Sequence, residues 1–245
     1  MAKKRGINCS VLINGYDFSN YFKSAAPSAN VDLLDVTGFQ SPGSDREFLA
    51  SFNDGKLSLE GFFSADGTNL DDVDDIFNSV LGSLTKNVIT VSPEGVSAIG
   101  NRCYCLSADE TRYEVSSPAD GVIMSNAEFQ SSSGLGHGVV LHNLTAETAT
   151  GNNTSVDNGA ASTSGGAGHL HVTAKAGTTP TLDVKIQHST NDSTWVDLIT
   201  FAQKNNVGSE RLTVTGTVNR YTRSIRTIGG SGGPSFTYAV GFTRN

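Results

Sequence analysis

The chain has 245 residues, 27 of them glycine, with 17% charged residues and a formal net charge of −7. Together with abundant Ser, Thr and Asn, this composition suits many short strands joined by tight turns and argues against a helical enzyme or a disordered tail. The longest apolar run is far short of the roughly 20 residues a spanning helix requires, and no apolar segment follows Met1-Ala-Lys-Lys-Arg5, so no membrane partner and synthesis in a cytoplasm are expected.

In chain order, the first half reads as strands near Asn8 to Ile13 and Val31 to Phe39, then a pair, Phe48 to Phe52 and Lys56 to Phe63. Asn53-Asp54-Gly55 between the last two is an Asp-Gly hairpin signal. One helix follows. Asn69 is its expected cap, Asp71 and Asp72 stand in the first turn where the helix dipole favours negative charge, and Leu70, Val73, Ile76, Phe77, Val80, Leu81 and Leu84 recur at helical spacing. Further strands are expected at Asn87 to Ser92, Arg102 to Leu106, Thr111 to Val115 and Val122 to Gln130, with turn chemistry at Pro93-Glu-Gly95 and Pro118-Ala-Asp-Gly121.

From Gln130 to Gly138, and again from Thr145 to Gly168, the chain is rich in Gly, Ser, Thr, Ala and Asn and reads as loop with at most short strands. Beyond it, His169 to Lys175, Leu182 to His188, Trp195 to Ala202, Glu210 to Thr215, Tyr221 to Thr227 and Ser235 to Phe242 alternate apolar and polar residues with period two. That alternation predicts an antiparallel sandwich with one wet face. The division is therefore 1–133, a connector over 134–168, and 169–245. Charge divides the same way, −9 over residues 1–133 and +2 over the remainder. A weak internal likeness between Lys56 to Thr68 and Thr181 to Ser193 raises the question of a duplicated fold.

Catalytic constellations are scarce: there is no G-x-S-x-G, no phosphate-cradling G-x-x-x-x-G-K-S/T and no H-E-x-x-H. Gly229-Gly-Ser-Gly-Gly233 joins two strands and reads as a hairpin connector. Cys103-Tyr-Cys105 puts two thiols on one strand face, and with Cys9 makes an odd count that fits reduced, mostly buried thiols better than a disulfide framework or a zinc site. Histidines 137, 142, 169 and 171 are the best enzyme-like group, the last two on one sheet face, yet no carboxylate stands at a recognisable spacing, and a solvent-facing or interface pair is expected. Asp66, Asp71, Asp72, Asp74 and Asp75 lack the calcium-loop spacing and read as a solvated helix face. Trp195 with Tyr221 and Tyr238 is either a carbohydrate platform or, more ordinarily, a core anchor under a turn. Arg211, Arg220, Arg223 and Arg226 are too sparse for a nucleic-acid stripe at an overall pI near 5.1.

Asp35-Val-Thr-Gly-Phe39, the run from Arg46 to Phe63, the Leu70 to Leu84 helix and Tyr113-Glu-Val-Ser-Ser-Pro118 with the strand after it resemble the tail-tube family of long-tailed, non-contractile bacteriophages. The resemblance covers roughly residues 1 to 133. His188 to Leu198 and Val218 to Arg223 look like the C-terminal portion of some phage tail proteins, a departure from the one-domain pattern that leaves ring stoichiometry open. It implies an all-β fold with one short α-helix: a tail-tube-like N-terminal part and a C-terminal β-sandwich part. It further implies a structural subunit of the virion tail, not an enzyme, with no cofactor and no metal. The partners implied are other copies of the chain, in hexameric rings or in pseudo-hexameric trimers if the fold is duplicated, together with other tail proteins including the tape measure. Rings would form by sheet extension and stack around a lumen that DNA passes without specific binding. Ser41, Pro42, Gly43, Ser44, Asp45 and Arg46 are the loop expected to reach the next ring, and Asp71, Asp72, Asp74 and Asp75 the acidic surface. Another virion role, such as decoration or tail completion, and a carbohydrate-binding adhesin-like module are the alternatives.

Overall fold

The computed structural model describes residues 6–39, 45–65, 72–131 and 133–245. Its elements in order are β1 (Ser10–Ile13), β2 (Tyr16–Asp17), β3 (Phe22–Asp35), β4 (Phe48–Phe62), α1 (Val73–Val80), β5 (Asn87–Ser92), β6 (Arg102–Ser116), β7 (Met124–Ser131) and β8 (Gly136–Glu147). The order continues with β9 (Gly151–Asn152), β10 (Val156–Asp157), β11 (Gly166–Ala176), β12 (Thr181–Ser189), β13 (Val196–Thr200), β14 (Gly208–Val214), β15 (Tyr221–Gly229) and β16 (Ser235–Arg244). The protein is all-β with one short helix, as its composition and periodicity predict. Among the described residues no helix is long and apolar enough to cross a membrane.

Eleven described strands form one antiparallel sheet along the path β14-β11-β16-β8-β6-β5-β1-β2, with β7, β4 and β3 branching from β6. The branch point is physical. One edge of β6 pairs with β5, while the other is shared, β8 taking Arg102 to Cys105 and β7 taking Ala108 to Ser116. A second sheet of five strands runs β10-β15-β12-β13, with β9 beside β15. It packs on the first through Leu182, Val184, Ile186 and Ile199 against Leu141, Leu170, Val172, Tyr238 and Phe242. Here the period-two alternation read from the sequence holds: β12 buries Leu182, Val184 and Ile186 and turns the residues between them outward.

Three readings are corrected. Asn53-Asp54-Gly55 makes no hairpin: β4 runs straight through it, because Gly55 lies against the backbone of Gly134, where a Cβ would stand 2.7 Å from the Gly134 carbonyl. The Gly is needed for close approach, not for a turn. The stretch 134–168 is more than a connector, since it supplies β8, a 12-residue strand that joins the first half to β16. The expected pair Arg102 to Leu106 and Thr111 to Val115 is one 15-residue strand, β6, carrying a register shift between Glu110 and Arg112.

The helix is shorter than its apolar spacing predicts. Asp72 is the N-cap, its Oδ1 accepting from the Asp75 backbone N–H at 3.2 Å; Asn69, the expected cap, and Leu70 lie outside the described residues. The helix stops at Val80 because Gly82 follows at φ +73°, the left-handed conformation that ends helices. Leu84, placed by spacing in the apolar stripe, is fully exposed. Val73, Ile76 and Phe77 do carry the packing: the Phe77 ring lies 5.3 Å from that of Phe18 and 5.8 Å from those of Phe129 and Tyr113.

One polar group breaks this core. Glu110 on β6 stands in register with Phe129, is 4% exposed, and neither carboxyl oxygen has a hydrogen-bond partner. Burial pushes its pKa up to about 8, so it is largely protonated at neutral pH.

Phe77→Ala is expected to cost about 3–5 kcal/mol by the usual range for a buried aromatic, and Leu84→Ala under about 0.5 kcal/mol; urea denaturation of the two variants measures the contrast. For Glu110 the folded pKa lies above the unfolded value, so its contribution to stability is whole below about pH 4.5 and is lost as pH rises towards about 8. Glu110→Gln is therefore expected to unfold at higher denaturant than the parent at pH 8, with the gain shrinking to nothing near pH 4. Equal midpoints at both pH values would contradict the assignment.

Candidate assembly surface

The strands β3 and β4 pair along their whole length, from Phe22 opposite Gly61 to Asp35 opposite Phe48. Only the inner part of this hairpin has further support, because β7 pairs with β4 from Gly55 to Phe62 and no farther. The outer part, Val31 to Asp35 with Phe48 to Asn53, is a two-stranded ribbon about 17 Å long at roughly 3.4 Å per residue. Val31, Leu33, Leu34, Phe48, Leu49 and Phe52 on it are each 50–79% exposed. Opposite residues share a face. The Leu34–Leu49 pair therefore points one way, and Leu33 and Phe48 point the other. Both faces of the ribbon are apolar, and the outer edge of β3 pairs with no described strand.

Of the loop expected to reach a neighbour, Ser41, Pro42, Gly43 and Ser44 lie outside the described residues, whereas Asp45 and Arg46 are exposed at the start of the return towards β4. Arg46 stands 3.7 Å from Asp35, an exposed pair of little energetic weight. The acidic run is not a uniform solvated face. Asp72 is buried and occupied as the helix cap, Asp74 accepts a 3.0 Å bond from the Tyr113 hydroxyl, and Asp75 is half-buried; Asp71 lies outside the described residues.

The histidines are elsewhere than expected. His169 and His171 share a sheet face, but that face is turned inward, where the sheet curls and brings β11 over β5: His171 Nε2 is 3.0 Å from Thr90 Oγ1. Both are completely buried, so they are no solvent-facing pair. Burial lowers the pKa of His171 to about 3 and that of His169 well below the ordinary value, and both are neutral at pH 7. His142 is buried too, stacked 3.9 Å from the Tyr238 ring and 3.4 Å from Glu147; burial outweighs the carboxylate and lowers its pKa to about 4. His137 is exposed, its ring edge-on to Tyr104. Only His169 and His171 are brought together.

Cys103 and Cys105 are core-facing strand residues as read, their sulfurs 3.9 Å apart under Gly241, whose missing side chain leaves them room. Burial and their mutual contact raise the Cys103 thiol pKa, with the neighbouring thiol the larger cause. Among the described residues no group of three or more His, Cys, Asp or Glu side chains is placed to hold a metal ion.

Trp195 is neither a core anchor nor part of a platform. It is half-buried with the Arg223 guanidinium 4.1 Å over its ring, Tyr221 is covered by Arg220 at 5.0 Å, and Tyr238 is wholly buried. The arginines are likewise engaged: Arg220 makes a two-bond fork with Asp157, Arg226 pairs with Glu147 at 2.6 Å, and Arg223 donates to Gln187. Sequence reasoning read strands at both sites but placed the hairpin turn at Asn53-Asp54-Gly55 and so missed the β3–β4 pair and its exposure; the apolar residues on both faces of β3 and β4 were the signal available.

No family model matches the chain, and no curated protein does. Among solved structures it is similar to a component of the virion of a native gene transfer agent particle, at 17% identity over 55% of this chain and 98% of that one, with a TM-score of 0.42. It is similar over nearly its whole length to the Dit protein of phage SPP1, described as a hub of the adsorption apparatus, at 14% identity, 96% and 98% coverage and a TM-score of 0.38. A chain of the phage p2 baseplate gives 13% identity, 97% and 98% coverage and a TM-score of 0.35. These three structures come from a gene transfer agent virion, a phage adsorption hub and a phage baseplate.

Proposed function

We propose that the chain is a structural subunit of a phage-type tail, self-assembling into rings that form part of a tube around a DNA-conducting lumen. The observation that carries the reading is the β3–β4 ribbon. A two-stranded hairpin is marginal in water on its own, and this one exposes apolar side chains on both faces besides the open edge of β3. A second copy of the chain is the occupant we assign to it, covering the ribbon and extending the sheet. The resemblance of residues 1–133 to tail-tube subunits supplies the kind of assembly.

In this reading six chains close a ring through residues 1–133, with residues 169–245 on the outside. The second half offers no described helix and no counterpart of the long hairpin, which favours six chains over three chains with a duplicated fold. Ser41 to Arg46, which follow β3 and precede β4 in the sequence, are the proposed contact with the next ring, and the tape measure and other tail proteins are the remaining partners. The acidic half is assigned to the lumen side, where negative charge repels phosphate and leaves DNA unbound. The subunit then has no catalytic role and resides in the virion tail. Neither Trp195 nor its neighbours favours a carbohydrate-binding reading.

The parent chain is expected to form rings or tubes in negative-stain microscopy and to elute as an oligomer. Leu34→Asp, a change at an exposed position that should cost the monomer under about 0.5 kcal/mol, is expected to leave a folded monomer and no rings. Rings of parental size from that variant, or a parent chain that stays monomeric at every concentration, would overturn the proposal.

A further inference from the structure

A cleft of about 350 Å³ opens between the first sheet and the β10 segment, at the small end of the roughly 300–1,000 Å³ that hold small-molecule ligands. Its lining comes from four separate stretches of chain: Arg102 on β6, His137 and Val139 on β8, Asp157 on β10, and Phe242 and Arg244 on β16. The position is set by the shared edge of β6, which holds β8 beside Arg102, and by the β8–β16 pairing, which brings Phe242 opposite Val139.

The electrostatics of this cleft run against those of the whole chain, which is acidic. Among the described residues the exposed Arg102 side chain has no ion-pair or hydrogen-bond partner, and the His137 ring stands edge-on to Tyr104. Arg244 donates from one terminal nitrogen to the carbonyls of Ala160 at 2.7 Å and Val218 at 3.2 Å, while its Nε is buried with no acceptor. A buried guanidinium N–H without a partner is costly to leave so. The one carboxylate of the lining, Asp157, is already neutralised by the two-bond fork from Arg220. Arg102 and His137 thus line the cleft with no described anion against them, and beside them Val139 and Phe242 give one apolar wall.

We propose that this cleft binds a small molecule through a phosphate or similar oxyanion, held by Arg102 and His137, with an organic group against Val139 and Phe242. Guanidinium forks match the geometry of such oxyanions, and Arg102 offers one with no described partner. The site is independent of the hairpin and of the assembly reading.

Calorimetric titration of the full chain with inorganic phosphate and with phenyl phosphate, against sodium chloride at equal ionic strength, tests it. Saturable binding of about one ligand per chain is expected for the phosphates and none for chloride. Arg102→Ala, at an exposed position with no partners to lose, is expected to weaken binding about tenfold or more, and His137→Ala to weaken it less. Lys23→Ala, outside the cleft, should leave it unchanged. Tighter binding of phenyl phosphate than of inorganic phosphate supports an organic ligand against the apolar wall, and equal affinity supports the free ion as ligand. Heats no different from chloride, or saturation that survives unaltered in both Arg102→Ala and His137→Ala, overturn the proposal.

Discussion

The fold depends on one strand being longer than any of its neighbours on its shared edge. Of its 15 residues β6 pairs Tyr104 to Ala108 with β5 on one side, and on the other hands its hydrogen bonds from β8 to β7 between Cys105 and Ala108. Buried backbone groups must be paired, so two strands are needed where one cannot follow the bend. Their divergence creates two layers from a single sheet. The β7–β4–β3 branch carries the α1 core, and the β8–β16–β11 branch carries the sandwich core. The register shift between Glu110 and Arg112 lies on the β7 side of this divergence, and a small cluster of Leu12, Val96, Cys103, Cys105, Val140 and Ala239 packs β1, β6, β8 and β16 together. The chain's two halves are consequently joined by backbone hydrogen bonds and not by a loose connector alone.

Within this plan most strand edges are short or covered, and β3 is the exception. Proteins usually blunt long edges with charge or proline. Lys23 and Pro27 do so on the inner part of β3, where β4 and β7 stand behind it. On the outer part the pattern changes to Val31, Leu33 and Leu34, which a chain that stays alone has no reason to expose. Protection of the root and apolar exposure of the tip are opposite solutions within one strand, and this contrast is why the ribbon, and not the edge as such, bears the assembly reading.

How much was legible follows from which forces are local. The strands β12 and β15 were readable because one face meets the core and the other is more open, which writes period two into the sequence. The helix was readable from Ile76 and Phe77, but its ends were not: spacing ran on to Leu84, whereas Asp72 and Gly82 set the limits through a cap bond and a left-handed φ. Gly55 deceived because Asp-Gly names a turn only when no distant backbone needs the space, and Gly134 does. The strand β8 was hidden by its glycines, which serve close packing: a Cβ on Gly138 would lie 2.2 Å from the Phe242 carbonyl oxygen. The inward turn of His169 and His171 depends on the curl of the sheet over β5, a property no local pattern carries.

The same distinction applies to charge. Counting acids assigned the negative character of the first half to the helix, yet Asp72 and Asp74 are committed to a cap and to Tyr113, and Glu110 holds a proton at neutral pH. Among the exposed acids of the first half, Asp32, Asp35, Asp45 and Glu47 lie on and around the hairpin, with Arg46 beside Asp35. The apolar ribbon is thus edged by like charge, so that copies brought together along it gain apolar burial and meet electrostatic repulsion at once. Exposed charges of this kind are screened over about 8–10 Å at physiological salt, while the apolar contacts are not. In the proposed assembly, association through the ribbon is then governed by contact area, and the charge acts mainly to disfavour registers that bring the acidic residues side by side.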